Sequence, residues 1–188
     1  MPSFHVTKGF VINPKDLCSR SLLNTFTTMP ASLRDPAAQP RFVIISSIGI
    51  THAAHAELPL LLKPFYGYFL RSPHTDKLAM ERIIAHSAGW GWREEEPARD
   101  VLPETWSSAP GVPAEGELKH VVTVRPALLT SGSCKANKPK VGKAPYRVKD
   151  RELGDGYTVS REDVAHFIVE GLLENWSEWE GKAAHIAY

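Results

Sequence analysis

The segment Arg41-Phe42-Val43-Ile44-Ile45-Ser46-Ser47 decides the fold class of this chain. Its centre is a short run of aromatic and β-branched residues, which is typical of a strand. Because the run is apolar at every position, both faces of the strand are expected to be covered, as in a parallel sheet flanked by helices. Polarity returns at Ser46 and Ser47, where we expect the strand to end.

Helical and strand patterns alternate on both sides of this segment. The predicted elements are a helix over 16–26, the strand just quoted, a helix from about 75 to 89, a strand from 121, two short strands over 145–148 and 157–159, a helix from 160, and a final strand over 183–188. Such alternation predicts an α/β domain with a parallel sheet. Ser160 and Asp163 form a capping-box-like helix start. The two short strands are expected to form a hairpin.

Composition limits the classes of function. The chain has 188 residues, 43% of them hydrophobic and 23% charged, which fits a single domain over 1–188. A formal net charge of +1 argues against nucleic acid or an anionic membrane as a partner. Cys18 and Cys134 are too few for a disulfide framework and are not spaced like a zinc site. The N-terminus does not resemble a secretory signal, so a cytoplasmic location is expected.

The segment 91–119 is a long stretch with little helical or strand periodicity. It is rich in proline and contains Glu94-Glu95-Glu96. A connection of this length indicates either a functional insertion or a mobile loop. Since it joins the end of a helix to the start of a strand, we place it at the edge of the sheet opposite the one where ligands bind. We interpret it as a surface or partner-contact loop and not as a lid.

Six pieces of the chain, taken in order and spacing, resemble the later part of NmrA-like atypical short-chain dehydrogenase/reductases. These are NAD(P)-binding proteins close to the flavin and biliverdin reductase type. The matching pieces are FVIISSIG (42–49), LLLKP (60–64), PHTDK (73–77), VRPALLT (124–130), SREDVA (160–165) and GKA (181–183). The resemblance implies a Rossmann-like, doubly wound parallel sheet that lacks its first βαβ units, and it implies NADP as the cofactor.

The chain departs from that family at its N-terminal end. Folds of this type hold the pyrophosphate at a glycine-rich turn and a helix N-terminus. Neither G-x-x-G-x-x-G nor G-x-G-x-x-G precedes the first predicted helix. Three explanations fit this departure: a fragment, a misassigned start, or a protein that has lost the cofactor.

By resemblance, residues that follow two strands belong to the cofactor site. Ser46 and Ser47 end a central strand, and Ser47 is expected to face the nicotinamide. Arg125, Pro126 and Ala127 resemble the family's turn beside the nicotinamide, where Pro126 restricts the backbone. The structural alternative is that both segments simply terminate strands.

Lys77, Ser47 and His74 are the candidate catalytic residues. In relatives of this superfamily a lysine one helical turn after a tyrosine binds the nicotinamide ribose and lowers the tyrosine's pKa. Here the position four residues before Lys77 is Pro73, so the tyrosine acid is absent from its usual place. His74 is the alternative proton donor, although protons from solvent also suffice for reductases that rely on placement. The structural alternative for Lys77 and His74 is an ordinary surface position.

The remaining tyrosines, histidines and lysines that stand out in the sequence are weaker candidates for functional residues. Tyr66 and Tyr68 precede the second helix, and packing explains them best. His52 and His55 have no third ligand placed with them, so we predict no metal site. A small basic loop either contacts a cofactor phosphate or acidic substrate, or is simply solvated. Its basic residues are Lys135, Lys138, Lys140 and Lys143.

Two functions follow from these observations. The leading interpretation is an NAD(P)-binding oxidoreductase-type domain, an NADPH-dependent reductase of a small organic substrate, which is truncated or inactive if the phosphate site is missing. The alternative is a non-catalytic, NmrA-like regulatory or scaffold protein. A carbonyl, a quinone or a flavin would all suit the aromatic segment 65–69, so no substrate is specified. An exposed sheet edge and apolar face predict self-association.

Overall fold

The computed structural model describes residues 3–5, 9–11, 13–50, 71–138 and 141–188. The chain divides into two compact units. The first, which we call the helical unit, comprises Met1–Pro40 and Gly49–Lys119. The second, the sheet unit, comprises Arg41–Ile48 and His120–Tyr188.

The helical unit contains a small hairpin and two long helices that pack against each other. Its elements are β1 (Ser3–His5), β2 (Gly9–Val11), α1 (Leu17–Thr28) and α2 (Arg71–Ala88). Helix α1 buries Leu22 and Phe26, as its helical spacing predicts. Helix α2 begins several residues before the predicted start, because Pro73 falls in its first turn, where proline is tolerated. It ends before Gly89, whose positive φ of 70° is typical of a helix C-terminus.

A buried carboxylate of α2 holds the amino-terminal end of α1. Asp76 accepts hydrogen bonds from the main-chain N–H groups of Cys18 (2.7 Å) and Ser19 (3.0 Å), and from the Ser19 hydroxyl (2.8 Å). Asp16, at the N-cap position, makes no capping bond and pairs with Arg20 instead. The first N–H groups of a helix lack hydrogen-bond partners within the helix and carry partial positive charge. The Asp76 carboxylate accepts their hydrogen bonds and supplies the opposite charge. Burial and Asp76 raise the pKa of the Cys18 thiol to about 11.

The segment 91–119 lies in the helical unit and contacts α2. Arg82 of α2 donates to both carboxylate oxygens of Glu96, at 2.9 and 3.0 Å. The same guanidinium lies 5.7 Å from the ring centroid of Trp92 and 5.8 Å from that of Trp106. At the end of the segment Leu118 is almost completely buried. These contacts favour an ordered insertion over a mobile loop, while its role as a partner-contact surface stays a prediction.

The sheet unit contains two sets of paired strands. Its strands in chain order are β3 (Phe42–Ile45), β4 (Val121–Pro126), β5 (Leu128–Thr130), β6 (Arg147–Lys149), β7 (Thr158–Ser160) and β8 (Ala183–Ala187). The larger sheet has the order β3-β4-β8-β6, in which β3, β4 and β8 are parallel and β6 is an antiparallel edge strand. Strands β5 and β7 form a parallel pair. The predicted α/β class and parallel sheet are confirmed.

The central strand β4 is buried on both faces. Its residues from Val121 to Val124 are almost inaccessible, as expected for a strand inside a covered parallel sheet. One face carries the core of the unit, which strands β4 and β8 share with the helical segment after β7. The principal core residues are Val122, Val124, Val164, Phe167, Leu172, Trp176, Ala184 and Ile186.

The helical segment after β7 starts as predicted and then widens. Ser160 caps helix α3 (Arg161–His166), with its hydroxyl accepting from the Asp163 N–H at 2.9 Å. The chain continues as a π-helical stretch, Phe167–Leu173, before the short helix α4 (Trp176–Trp179). The apolar residues after Ser160 recur at regular helical spacing, which predicts that Leu173 is buried, but Leu173 is 38% exposed. The wider π turn breaks the regular helical spacing on which that prediction rested.

The predicted hairpin over 145–148 and 157–159 is wrong. Strand β6 pairs with β8, and β7 pairs with β5, so the two short strands have different partners. An isolated pair of three-residue strands is marginal in water, whereas each strand gains a backbone ladder from a neighbour already in the unit. Sequence spacing does not reveal this choice of partner.

Asp163 joins three segments of the sheet unit. Its carboxylate accepts hydrogen bonds from the hydroxyls of Tyr188 (2.7 Å) and Ser160 (2.8 Å). It also accepts from the Ala136 N–H (3.1 Å) and the Cys134 thiol (3.3 Å). Burial raises the pKa of a carboxyl, but these bonds to the charged form outweigh burial and lower the pKa of Asp163 to about 2.

We expect Asp76→Asn to lower the free energy of unfolding by about 1–3 kcal/mol, because an amide nitrogen then faces an N–H group of α1. Urea denaturation measures the change. Asp150→Asn is the matched control, since Asp150 is exposed. Equal unfolding free energies for the two variants would contradict the capping role.

The stability that Asp163 provides should disappear in acid. Because its folded-state pKa of about 2 lies below the ordinary 3.8, the carboxylate stabilises the fold fully above about pH 5 and progressively less down to about pH 2. The expected contribution is on the order of 2 kcal/mol. Urea denaturation of the wild type and Asp163→Asn across this range measures it. The difference between the two should shrink on acidification, and a pH-independent difference would refute the assignment.

Candidate functional site

The serine pair and the Arg125-Pro126-Ala127 turn meet at one edge of the larger sheet. Strands β3 and β4 are parallel and in register, so their carboxyl ends lie side by side. The Ser46 N–H donates to the Val124 carbonyl at 2.8 Å, and the Ile48 N–H donates to the carbonyl of Pro126 at 3.1 Å. In α/β sheets ligands bind at this edge. The structure therefore brings together the strand-end residues that the sequence singled out.

The two serines differ in accessibility. Ser46 is completely buried, and its N–H donates to the Val124 carbonyl. Ser47 is only half-buried. A ligand at the edge of the sheet can reach the Ser47 hydroxyl more readily than that of Ser46. The assignment of both serines to cofactor binding stays a prediction, with Ser47 better placed.

Arg125 belongs to a cluster of ionisable side chains that sequence reasoning missed. Its Nη1 lies 3.3 Å from His185 Nε2 and 3.9 Å from Glu152 Oε1. His185 Nε2 is also 3.3 Å from Glu152 Oε1. Arg125 and His185 are direct register partners on β4 and β8. Glu152 comes from the irregular stretch after β6, so no local pattern indicates that it meets the other two.

This cluster holds the Arg125 side chain in place. A guanidinium paired with a carboxylate is positioned and partly neutralised, and is a weaker anion site than an unpaired one. His185 is 2% exposed. Its Nδ1 is buried and has no hydrogen-bond partner among the described residues. The cluster is best suited to orienting the carboxyl end of β4.

The other predicted catalytic residues lie in the helical unit, on α2. The helix runs through Pro73, His74 and Lys77, so Pro73 and Lys77 are one turn apart, as predicted. Lys77 is half-buried, which argues against a fully solvated surface lysine. Burial lowers the pKa of Lys77, while neighbours that include Cys18 and Asp76 oppose the shift. His74 is also half-buried, and its role as proton donor stays a prediction.

Several sequence predictions fall outside the described residues. These are the predictions for Tyr66, Tyr68, His52, His55 and Lys140. In the described ranges, no group of three or more His, Cys, Asp or Glu side chains is arranged to hold a metal ion. Of the helices that the structure describes, none is both long and apolar enough to cross a membrane.

The first N–H groups of α1 and of α3 are already bound by side chains of the protein. A pyrophosphate needs unoccupied N–H groups at a helix N-terminus. At α1 the N–H groups of Cys18 and Ser19 bind the Asp76 carboxylate, which would repel a phosphate. At α3 the Ser160 hydroxyl caps the helix and bonds Asp163. These two helix N-termini therefore do not fit a pyrophosphate.

The sequence is similar to that of a reductase. That relative is Reductase pytE from Aspergillus terreus, which is 33% identical over 178 residues, covering 92% of this chain and 57% of its own length. The chain therefore spans little more than half of this relative. No protein-family model matches the chain.

Two solved structures align with most of the chain. One comes from a structural and functional study of ChuY from E. coli strain CFT073, with 15% identity, a TM-score of 0.45, and coverage of 91% of this chain and 64% of the other. The second is a Rossmann-fold NAD(P)-binding family protein from Shigella flexneri, with 17% identity, a TM-score of 0.37, and coverage of 94% and 55%. These scores are low, so the fold class rests on the strand pairing described above.

Coupling between Arg125 and Glu152 should be measurable by a double-mutant cycle with Arg125→Met and Glu152→Gln. We expect a coupling energy of about 1 kcal/mol or more, because both groups are largely buried in one network. The control pair is Arg99 and Glu104, whose side chains are 80% and 66% exposed. Exposed pairs of this kind couple by less than about 0.5 kcal/mol. Equal coupling in the two cycles would show that the cluster does not position Arg125.

Proposed function

We propose that the chain is an NAD(P)-binding oxidoreductase-type domain, the nicotinamide-binding part of an NADPH-dependent reductase of a small organic substrate. The observation that carries this proposal is the 33% identity to a reductase over 92% of the chain. A likeness over nearly the whole chain is stronger support than any single short motif. The confirmed parallel sheet supports the proposal, because its carboxyl edge is where such folds bind ligands.

The order of the strands supports the resemblance to NmrA-like short-chain dehydrogenase/reductases. From β3 the parallel strands follow one another outward in chain order, through β4 to β8. In a doubly wound sheet, the strands of the second half succeed one another in this way from the switch point outward. Strand β3 pairs with a neighbour on one side only within the described sheet. The preference for NADP over NAD is supported by the resemblance alone.

The proposed roles rest on residues of the sheet edge and on the family resemblance. In the sheet unit, the Ser47 hydroxyl and the Arg125-Pro126-Ala127 turn would position the nicotinamide, with Arg125 held by Glu152 and His185. The resemblance alone assigns ribose binding to Lys77 and proton donation to His74 or solvent. When bound, the cofactor supplies the hydride. Placement accounts for much of the rate in such reductases, so the absence of a tyrosine at position 73 is compatible with activity.

The alternative proposal is a non-catalytic, NmrA-like regulatory or scaffold protein. Two observations favour it. Pro73 occupies the position of the tyrosine acid, and the N–H groups at the start of α1 are bound by Asp76. A protein that keeps the fold only for partner binding needs neither a tyrosine acid nor unoccupied N–H groups at the start of α1.

Titration with two cofactor forms distinguishes these proposals. Calorimetry of the 188-residue protein with NADPH and with reduced nicotinamide mononucleotide should give affinities within about tenfold of each other, because α1 and α3 do not offer a pyrophosphate site. Lys77→Met should weaken both by about tenfold through loss of the ribose contact.

Lys182→Met is the matched control, since Lys182 is exposed and its amine donates to the Glu178 carbonyl. A folded protein that binds neither cofactor form would favour the scaffold alternative. If NADPH binds more than about a hundredfold more tightly than the mononucleotide, the chain builds a pyrophosphate site. That result would contradict the proposal that the chain binds the nicotinamide part of the cofactor without a pyrophosphate site.

A further inference from the structure

The two ring nitrogens of His185 have very different surroundings. The side chain is buried in the sheet unit. Its Nε2 lies 3.3 Å from Arg125 Nη1 and also 3.3 Å from Glu152 Oε1. Its Nδ1 is buried and has no hydrogen-bond partner among the described residues. Both polar neighbours of the ring therefore meet at the same nitrogen.

A single ring nitrogen cannot form hydrogen bonds with both of these neighbours at once. An arginine guanidinium only donates, so it needs an Nε2 that carries no proton. An ionised carboxylate only accepts, so it needs an Nε2 that carries one. The proton on Nε2 therefore decides whether His185 bonds to Arg125 or to Glu152.

The charged groups around the ring favour a different neighbour in each state. In the sheet unit, the charged side chains that described segments place beside His185 come from β4, from β6 and from the stretch after β6. They are Arg125, Lys149 (the register partner of His185 on β6), Arg147 on the same face of β6, whose guanidinium donates to main-chain oxygens, and Glu152. A proton on Nε2 adds a positive charge 3.3 Å from Arg125 Nη1, where like charges in a buried site repel. The same proton gives Glu152 a charge-assisted hydrogen bond.

We propose that His185 is a positioning residue whose proton state controls Arg125. When Nε2 carries no proton, it accepts a hydrogen bond from the guanidinium and holds Arg125 against β8. When Nε2 takes up a proton from solvent, it donates to Glu152, and Arg125 loses its acceptor and is repelled by the imidazolium. Nδ1 carries a proton in both states, so its lack of a partner does not favour either one.

The consequence for ligand binding rests on the proposed function, in which Arg125 belongs to the turn that positions the nicotinamide. While His185 holds Arg125, the carboxyl end of β4 is kept in one arrangement before the ligand arrives, which reduces the cost of binding. Acidification releases Arg125 and should weaken cofactor binding. The contact between His185 and Arg125 needs no cofactor, so it can be tested separately.

Proton–nitrogen correlation NMR of the imidazole rings in the 188-residue protein, without cofactor, tests the contact directly. His185 Nε2 should lack a proton at about pH 8 and carry one at about pH 5.5, the range in which histidines commonly change charge. Nδ1 should be protonated at both pH values. The spectrum of His185→Phe identifies the signals by their loss. An Nε2 that stays in one proton state throughout this range would overturn the proposal.

A double-mutant cycle shows whether the proton state acts on Arg125. With Arg125→Met and His185→Phe, urea denaturation should give a stabilising coupling at about pH 8 that is at least about threefold smaller, or reversed in sign, at about pH 5.5. The control cycle uses Asp16→Asn and Arg20→Met, a salt bridge without histidine in which the pKa of Asp16 is lowered chiefly by its hydrogen bond to Arg20. The control coupling should be equal at both pH values. A pH-independent coupling between Arg125 and His185 would refute the positioning role.

Titration with NADPH separates this inference from the proposed function. Between about pH 8 and pH 6, the wild type should lose at least about threefold more affinity than His185→Gln, whose side chain stays neutral. His86→Gln is the matched control, since His86 is a half-buried histidine of the helical unit, and it should behave like the wild type. Equal losses in the wild type and His185→Gln would contradict control of the ligand site by His185. A protein that binds no NADPH but shows the pH-dependent coupling would refute the proposed function and support the proton-controlled contact.

Discussion

The pairing of β4 with two parallel neighbours is the constraint on which the sheet unit depends. Strand β4 takes β3 on one side and β8 on the other, and these three strands come from distant parts of the chain. Because parallel strands end at the same edge, this pairing places Ser47 beside the turn at Pro126. It also makes Arg125 and His185 register partners, which creates the cluster with Glu152. The candidate site is thus a consequence of strand register.

Buried carboxylates form the second organising feature, and they limit what the helices can bind. Asp76 occupies the N–H groups at the start of α1, and Asp163 forms part of the cap of α3. Each stabilises a helix end from within the fold and thereby removes a site where a phosphate group would otherwise bind.

Local patterns predicted most elements well, since they depend on neighbouring residues. The strand after Arg41, helix α1, the cap at Ser160 and the strand from Val121 follow directly from spacing and residue type. Predictions failed where pairing or helix geometry depends on distant contacts. The two short strands around residues 145–159 were assigned to each other, although each pairs with a strand elsewhere in the unit. The π-helical stretch after His166 likewise left Leu173 more exposed than regular helical spacing predicts.

The sequence by itself determined the α/β class, the positions of the main helices and strands, and the residues that follow β3 and β4. Periodicity and capping encode these features within short windows of the chain. Only the tertiary structure decided that Asp76 caps a helix distant in sequence, that Glu152 and His185 flank Arg125, and that Lys135 lies over the Tyr188 ring. Each of these contacts joins residues far apart in the chain. Their partners are set by strand register and helix packing, which leave no local pattern.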